Sequence, residues 1–289
     1  MCILYKDCRR FLFEANDFIT NDKNCGSGVS KPGWKLVVVG GEHPEAGDTS
    51  RDPVASNSIE VLDLLNPNNV CQPLKNHPLR LQNAYGEKID DNMPLICGGN
   101  SNEYKKRSHS KCFYLGDTDP FYPEPAVNLY EGKSHASTIS YENALIVFGG
   151  YDYTGYGGKY ESYDTIEKIQ PGSAENTVGY LPFTFAYGCA VQVGVSVYLI
   201  GGEQNKQVTN QTWVGGISRY WDDWTQGVEL NTPRKDHGCA VINGVGIIVM
   251  GGVDSSDIPW NYLKTVEILT YDQGALSTTE FDYGKNQKL

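Results

Sequence analysis

No apolar run in this sequence reaches the length of a membrane-spanning helix, so helical insertion into a bilayer is not expected. Basic charge is also short. Twenty-four Lys and Arg stand against 35 Asp and Glu, for a net charge of −11. That balance disfavours salt-driven binding to nucleic-acid backbones or to an anionic membrane surface. The one basic run, Lys105-Lys106-Arg107, reads as a solvated loop. Eight cysteines contain no C-x-x-C pair, which argues against a zinc ribbon or a thioredoxin-type motif. The start Met1-Cys2-Ile3-Leu4-Tyr5-Lys6-Asp7 turns polar too soon for a secretory signal. Nucleophile elbows, P-loops, dinucleotide fingerprints and amphipathic helices are missing too. Gly155-Tyr156-Gly157-Gly158 looks like a phosphate loop, but no helix follows it, so the anion-binding logic fails.

Glycine is plentiful, at 32 of 289 residues, and it is organised. Doublets preceded by apolar runs occur at Gly40-Gly41, Gly98-Gly99, Gly149-Gly150, Gly201-Gly202 and Gly251-Gly252, spaced 58, 51, 52 and 50 residues apart. The runs KLVVV, MPLIC, ALIVF, VYLI and GIIVM are short and continuous, which suits strands buried on both faces. A second marker keeps phase. Tyr85, His135, Tyr187 and His237 lie 13, 14, 14 and 14 residues before their doublets, and each opens a short strand. After each doublet comes a polar, Tyr-rich loop, a third strand, and a weaker fourth segment. Four strands per fifty-odd residues is the arithmetic of a β-propeller blade.

The apolar-run-Gly-Gly element, the Arg234-x-x-His237-Gly238 start with its degenerate copies, and the Tyr-rich third strand resemble the kelch repeat. The tryptophan late in each kelch repeat is largely absent, with Trp224 the best candidate, and several repeats lack the arginine. The resemblance implies an all-β, kelch-type β-propeller forming one domain over 1–289. Its five complete four-stranded blades fall near 24–82, 83–132, 133–184, 185–234 and 235–281. Residues 1–23 are expected to form part of a split or truncated sixth, because Cys2 precedes Cys25 by 23 residues as Cys112 precedes His135. The runs V-C-Q-P-L and P-L-I-C-G-G…K-C-F-Y-L are similar to those of secreted invertebrate kelch-type chains. An extracellular location is therefore favoured over a cytoplasmic one.

Cys97 ends a second strand and Cys112 opens the third strand of the same blade, so a Cys97–Cys112 disulfide is expected. Cys189 and Cys239, both in Gly-Cys-Ala-Val, read as small apolar packing residues at one repeat position. The pairing of Cys2, Cys8, Cys25 and Cys71 stays open.

Tyr85, His135, Tyr187 and His237 share a repeat position, so they are expected to ring one mouth of the channel. Copper oxidases of the galactose-oxidase type place two tyrosines and two histidines at such a mouth, but their further domain is absent here. The Glu/Asp/His string of iron-holding kelch proteins and the sialidase Asp box are missing as well. The expectation is therefore no metal, no cofactor and no catalytic residue. Asn210-Gln211-Thr212 is a lone glycosylation sequon, near chance for this length.

Loops before the first strand and after each doublet carry Arg51, Arg107, His109, Tyr151, Tyr153, Tyr156, Tyr160, Lys206, Arg234, Lys235, Trp260 and Tyr262. Tyr, Trp and Arg are common interface anchors. The reading is a binding module for a protein or glycoprotein, with no nucleic acid and no membrane insertion. The alternative is a carbohydrate-active enzyme on the same scaffold, a copper oxidase or a sialic-acid epimerase.

Overall fold

The computed structural model describes residues 11–13, 35–43, 54–63, 76–89, 94–101, 108–114, 128–154, 159–170, 177–217, 221–255, 261–272 and 275–282. These residues form an all-β fold with no helix, and none of them forms a helix long and apolar enough to cross a membrane. Five antiparallel sheets follow one another along the chain. The first joins Phe11–Phe13, Lys35–Val39 and Ile59–Asp63, and the second joins Gln82–Lys88, Pro94–Asn100 and Cys112–Tyr114. The third has four strands, Ser137–Tyr141, Ala144–Phe148, Thr165–Ile169 and Thr177–Tyr180. The fourth has Cys189–Val193, Ser196–Ile200, Thr212–Gly216 and Trp224–Gln226; the fifth has Gly238–Ile242, Gly246–Met250, Thr265–Asp272 and Ala275–Asp282. Phe11–Phe13 pairs with Lys35–Val39 in the first sheet, and Ala275–Asp282 pairs with Thr265–Asp272 as the outer strand of the fifth.

The innermost strands stand side by side in chain order. Each of the three middle sheets therefore presents one face to the sheet before it and the other to the sheet after it, a propeller-like arrangement. This is why the second strands are apolar without alternation. In the third sheet Leu145 and Val147 pack with Cys97 and Tyr85 of the second, while Ile146 and Phe148 pack with Phe185 and Leu199 of the fourth. The same split recurs in the fourth, where Tyr198 and Ile200 meet Ile247 and Val249 of the fifth. Each such fully buried side chain contributes about 1.5–3 kcal/mol over its exposed state, so the stability resides between sheets.

The glycine doublets are the joints between sheets. The second glycine donates its N–H to a carbonyl of the next sheet's lead-in: Gly41 to Leu81 (2.7 Å), Gly99 to Lys133 (3.0 Å), Gly150 to Phe185 (2.8 Å) and Gly202 to Arg234 (2.8 Å). Gly149 takes a φ of +60° with the Phe185 carbonyl directly where a Cβ would stand, so no other residue fits without displacing the next sheet.

That lead-in corrects the reading of Arg234. Its carbonyl is the joint's acceptor, which turns the side chain inward. Arg234 is 0% exposed, paired with Glu267 at 2.5 Å and bonded to the Gly251 carbonyl (3.0 Å) and the Thr265 hydroxyl (3.0 Å). It is not available to a partner. Lys133 makes the same buried pair with Glu167 in the third sheet. The equivalent places in the second and fourth sheets hold Leu81 with Phe113 and Phe185 with Trp213, which share apolar clusters instead.

Four cysteines lie among the described residues, and all are in disulfides. Cys97 is bonded to Cys112, directly opposite it on the neighbouring strand. Cys189 is bonded to Cys239 of the next sheet, with Cα atoms 6.1 Å apart, which corrects the packing-only reading of that pair. The remaining four cysteines lie outside the described residues.

Candidate functional site

At or just before the start of each inner strand, from the second sheet to the fifth, one residue takes a left-handed conformation: Asn83 (φ 57°), His135 (52°), Tyr187 (58°) and Asp236 (55°). Their backbones are chained. His135 N–H donates to the Asn83 carbonyl (3.2 Å), Tyr187 N–H to His135 (3.0 Å), and Asp236 N–H to Tyr187 (2.8 Å). These four residues, not Tyr85, His135, Tyr187 and His237, share the repeat position.

Hairpin length explains the correction. In the third and fourth sheets a two-residue loop joins the inner strand to the next, as Val193 pairs with Ser196. In the fifth, Ile242 pairs with Gly246 across three residues; in the second, Lys88 pairs with Pro94 across five. The longer loops displace the pairing, so counting back from the doublet reaches a different place in those two sheets. Tyr85 (3% exposed) and His237 (8%) are consequently interior residues. Burial, followed by the Arg234 cation, lowers the His237 pKa to about 3. Burial, followed by the Glu167 charge, holds the Tyr85 phenol well above its ordinary range.

His135 and Tyr187 keep the shared repeat position beside the inner strands, with ring centroids 4.0 Å apart. Tyr151 completes the group, 6.1 Å from His135 and 5.5 Å from Tyr187. It comes from the strand Tyr151–Thr154, which pairs with Lys159–Ser162 in a small separate ribbon. That ribbon places Tyr160 stacked on Tyr151 at 5.3 Å, and Tyr160 is 56% exposed. On the other flank Lys235 Nζ stands 4.9 Å over the Tyr187 ring and 3.3 Å from Glu203. Burial, then the Lys235 cation, lowers the His135 pKa to about 3. Burial leads the causes that keep the Tyr187 phenol protonated. At neutral pH the centre of this cluster is therefore uncharged and aromatic, bordered by the Lys235–Glu203 ion pair and the exposed Asp236.

The base of the cluster is committed to structure. The Ser134 hydroxyl lies 3.2 Å from His135 Nδ1 but donates to the Tyr151 carbonyl (3.1 Å), and Ser134 is 0% exposed. Ser108 N–H donates to Asp152 (2.9 Å), and the Ser108 hydroxyl donates to the same Tyr151 carbonyl (3.2 Å). These bonds pin the ribbon to the second sheet's loop. They also spend the Ser134 hydroxyl that lies beside the imidazole.

The other sequence candidates fall in several places. Arg51, Arg107, Tyr156 and Trp260 lie outside the described residues. Tyr153 sits opposite Tyr160 in the ribbon. His109 is a backbone joint, donating its N–H to the Gly99 carbonyl (2.7 Å). Lys206 is exposed at a hairpin tip. Tyr262, 65% exposed, bridges Val253, which in turn bridges Lys235, so it lies on the outer side of the same flank. Asn83, Glu203 and Asp236 were missed. Only Glu203, directly after a doublet, carried a usable signal. The sequon is structural: Asn210 Nδ2 donates to the Leu230 carbonyl (3.0 Å) and the Thr212 side chain is 0% exposed.

No family model matches the sequence, and no curated protein matches it. Among solved structures the chain is similar to the one described as "Structure of YjhT". Their identity is 13%, the match covers 82% of this chain and 80% of that one, and the TM-score is 0.64. At that identity the likeness shows the fold alone.

Proposed function

We propose that this chain is a non-catalytic binding module on a kelch-type β-propeller, with five complete four-stranded blades and a split or truncated sixth. In this reading it recognises a protein or glycoprotein at the mouth around His135, Tyr151, Tyr160, Tyr187 and Lys235. The observation that carries the reading is the Tyr160–Tyr151 stack, an exposed ring held by a half-buried one. Rigid tyrosines offer contact area at a small entropic cost, which is why they anchor interfaces. The neutral His135 and Tyr187 let a partner dock without desolvating a charge. The Lys235–Glu203 pair at the border supplies orientation. Two disulfides support an oxidising, extracellular setting.

The test is retention on a panel of immobilised glycoproteins, each offered with its glycans intact and enzymatically removed. Wild type is expected to bind at least one. Tyr160→Ala and Lys235→Ala should weaken that binding at least about tenfold, a loss typical of interface anchors, with little change in melting temperature. Equal retention of wild type and Tyr160→Ala, or no retention on any member, would sink the reading.

A further inference from the structure

A concavity that shares no lining residue with the aromatic cluster lies beside the fourth sheet. Its volume is about 370 Å3, and among its lining residues are Phe183, Gln204, Asn205, Gln207, Gln211 and Trp213. That is toward the lower end of the roughly 300–1,000 Å3 usual for small-ligand sites. None of its lining residues is charged, although the chain carries a net charge of −11.

The walls are preorganised. Gln204 pairs with Gln207 across a two-residue turn in which Asn205 (φ 49°) and Lys206 (φ 66°) are both left-handed, the geometry of a tight hairpin. Trp213 packs on Phe183 with ring centroids 4.6 Å apart, and its indole N–H donates to Gln204 Oε1 (3.0 Å). Gln204 is itself buried, and its Nε2 donates to the Gly201 carbonyl (3.3 Å). The indole is thus locked by a side chain that is locked by the glycine joint. Gln207 and Gln211, by contrast, make no side-chain hydrogen bond within the described residues. Each offers an amide with both donor and acceptor capacity.

An anionic or cationic ligand would meet no counter-charge here. A purely aliphatic one would cover the amides and leave them unsatisfied. A ligand that fits has apolar ring faces for the indole and neutral hydroxyls for the amides. We propose that this pocket is a binding site for a neutral saccharide of one or two pyranose rings. The inference goes beyond the reading of the mouth and does not depend on it.

The intact chain is titrated with lactose, maltose and N,N′-diacetylchitobiose, followed by tryptophan fluorescence and saturation-transfer NMR. At least one should give a saturable response with transfer to its ring protons. Gln207→Ala and Gln211→Leu should each weaken that response about tenfold, the effect of losing one hydrogen-bond partner. Gln207 is exposed, so its truncation leaves folding intact. Tyr160→Ala should leave the response unchanged, which separates this site from the mouth. Three results would overturn the proposal: no saturable response to any of the three sugars, a response untouched by both glutamine variants, or saturation transfer only to a proline-rich peptide run in parallel.

Discussion

Cys189 is bonded to Cys239, although the residue that takes the place of Cys189 in the fifth sheet is Gly238. The offset is what permits the bond. Side chains alternate across a strand, so residues at one repeat position face the same way, toward the following sheet. Cys189 pairs with Ile200 and faces forward; Cys239 pairs with Val249, one step out of phase, and faces back. The three-residue hairpin at 243–245 supplies the shift.

Peptide mapping without reductant is expected to recover two cross-linked pairs, 97 with 112 and 189 with 239. Cys239→Ala should cost about 2–4 kcal/mol under oxidising conditions, as for other disulfides that close long loops. In reductant the same variant should match wild type. A full loss that persists in reductant would place its origin in packing.

The buried ion pairs predict a strongly non-additive mutant cycle. Arg234→Met leaves Glu267 buried beside the backbone N–H groups of Asn231 (2.6 Å) and Thr232 (3.2 Å), and should cost about 3–5 kcal/mol. Making the place wholly apolar, as Phe185 with Trp213 already is, should recover much of that loss. Denaturant unfolding of the two single variants and the double variant measures the coupling.

Two glycines isolate the joint between sheets. Gly149 and Gly194 have nearly the same φ, +60° and +61°, but only Gly149 faces the next sheet, while nothing lies within 4 Å of a Cβ placed on Gly194. Backbone strain from an alanine should therefore be similar, roughly 1–2 kcal/mol at each. Gly149→Ala should lose clearly more in a thermal melt. Equal losses would mean the doublet is needed for its dihedral angles alone.

Acid should destabilise the fold ahead of ordinary carboxylate titration. Burial lowers the His237 pKa to about 3, and burial with the nearby His109 lowers that of His77 to about 4. Above about pH 6.5 both are neutral folded and unfolded, so neither changes stability with pH. Below it the unfolded chain takes up protons that the native one refuses, and stability falls. The slope is about 1.4 kcal/mol per pH unit for each group, down to their folded pKa values. Replacing both with glutamine should reduce this slope in urea titrations between pH 6.5 and 4, leaving the share of His135, whose pKa burial also lowers to about 3. An unchanged slope would show that the imidazoles are hydrated in the native state.

The sequence by itself determined the period, the strands and the joints. A strand buried on both faces must be apolar throughout, and a backbone that bonds to the next sheet at positive φ must be glycine, so both signals stand in the residues themselves. It also revealed Cys97 with Cys112, because partners on neighbouring strands are separated only by one loop. The direction of each side chain was decided by the tertiary structure. A strand has a period of two, so one extra hairpin residue exchanges its faces, and spacing counted along the chain hides that exchange. This moved Tyr85 and His237 indoors, put Asn83 and Asp236 beside His135 and Tyr187, and joined Cys189 to Cys239. Arg234 follows the same logic, since a charged residue reads as exposed until a carboxylate two strands away is found to enclose it.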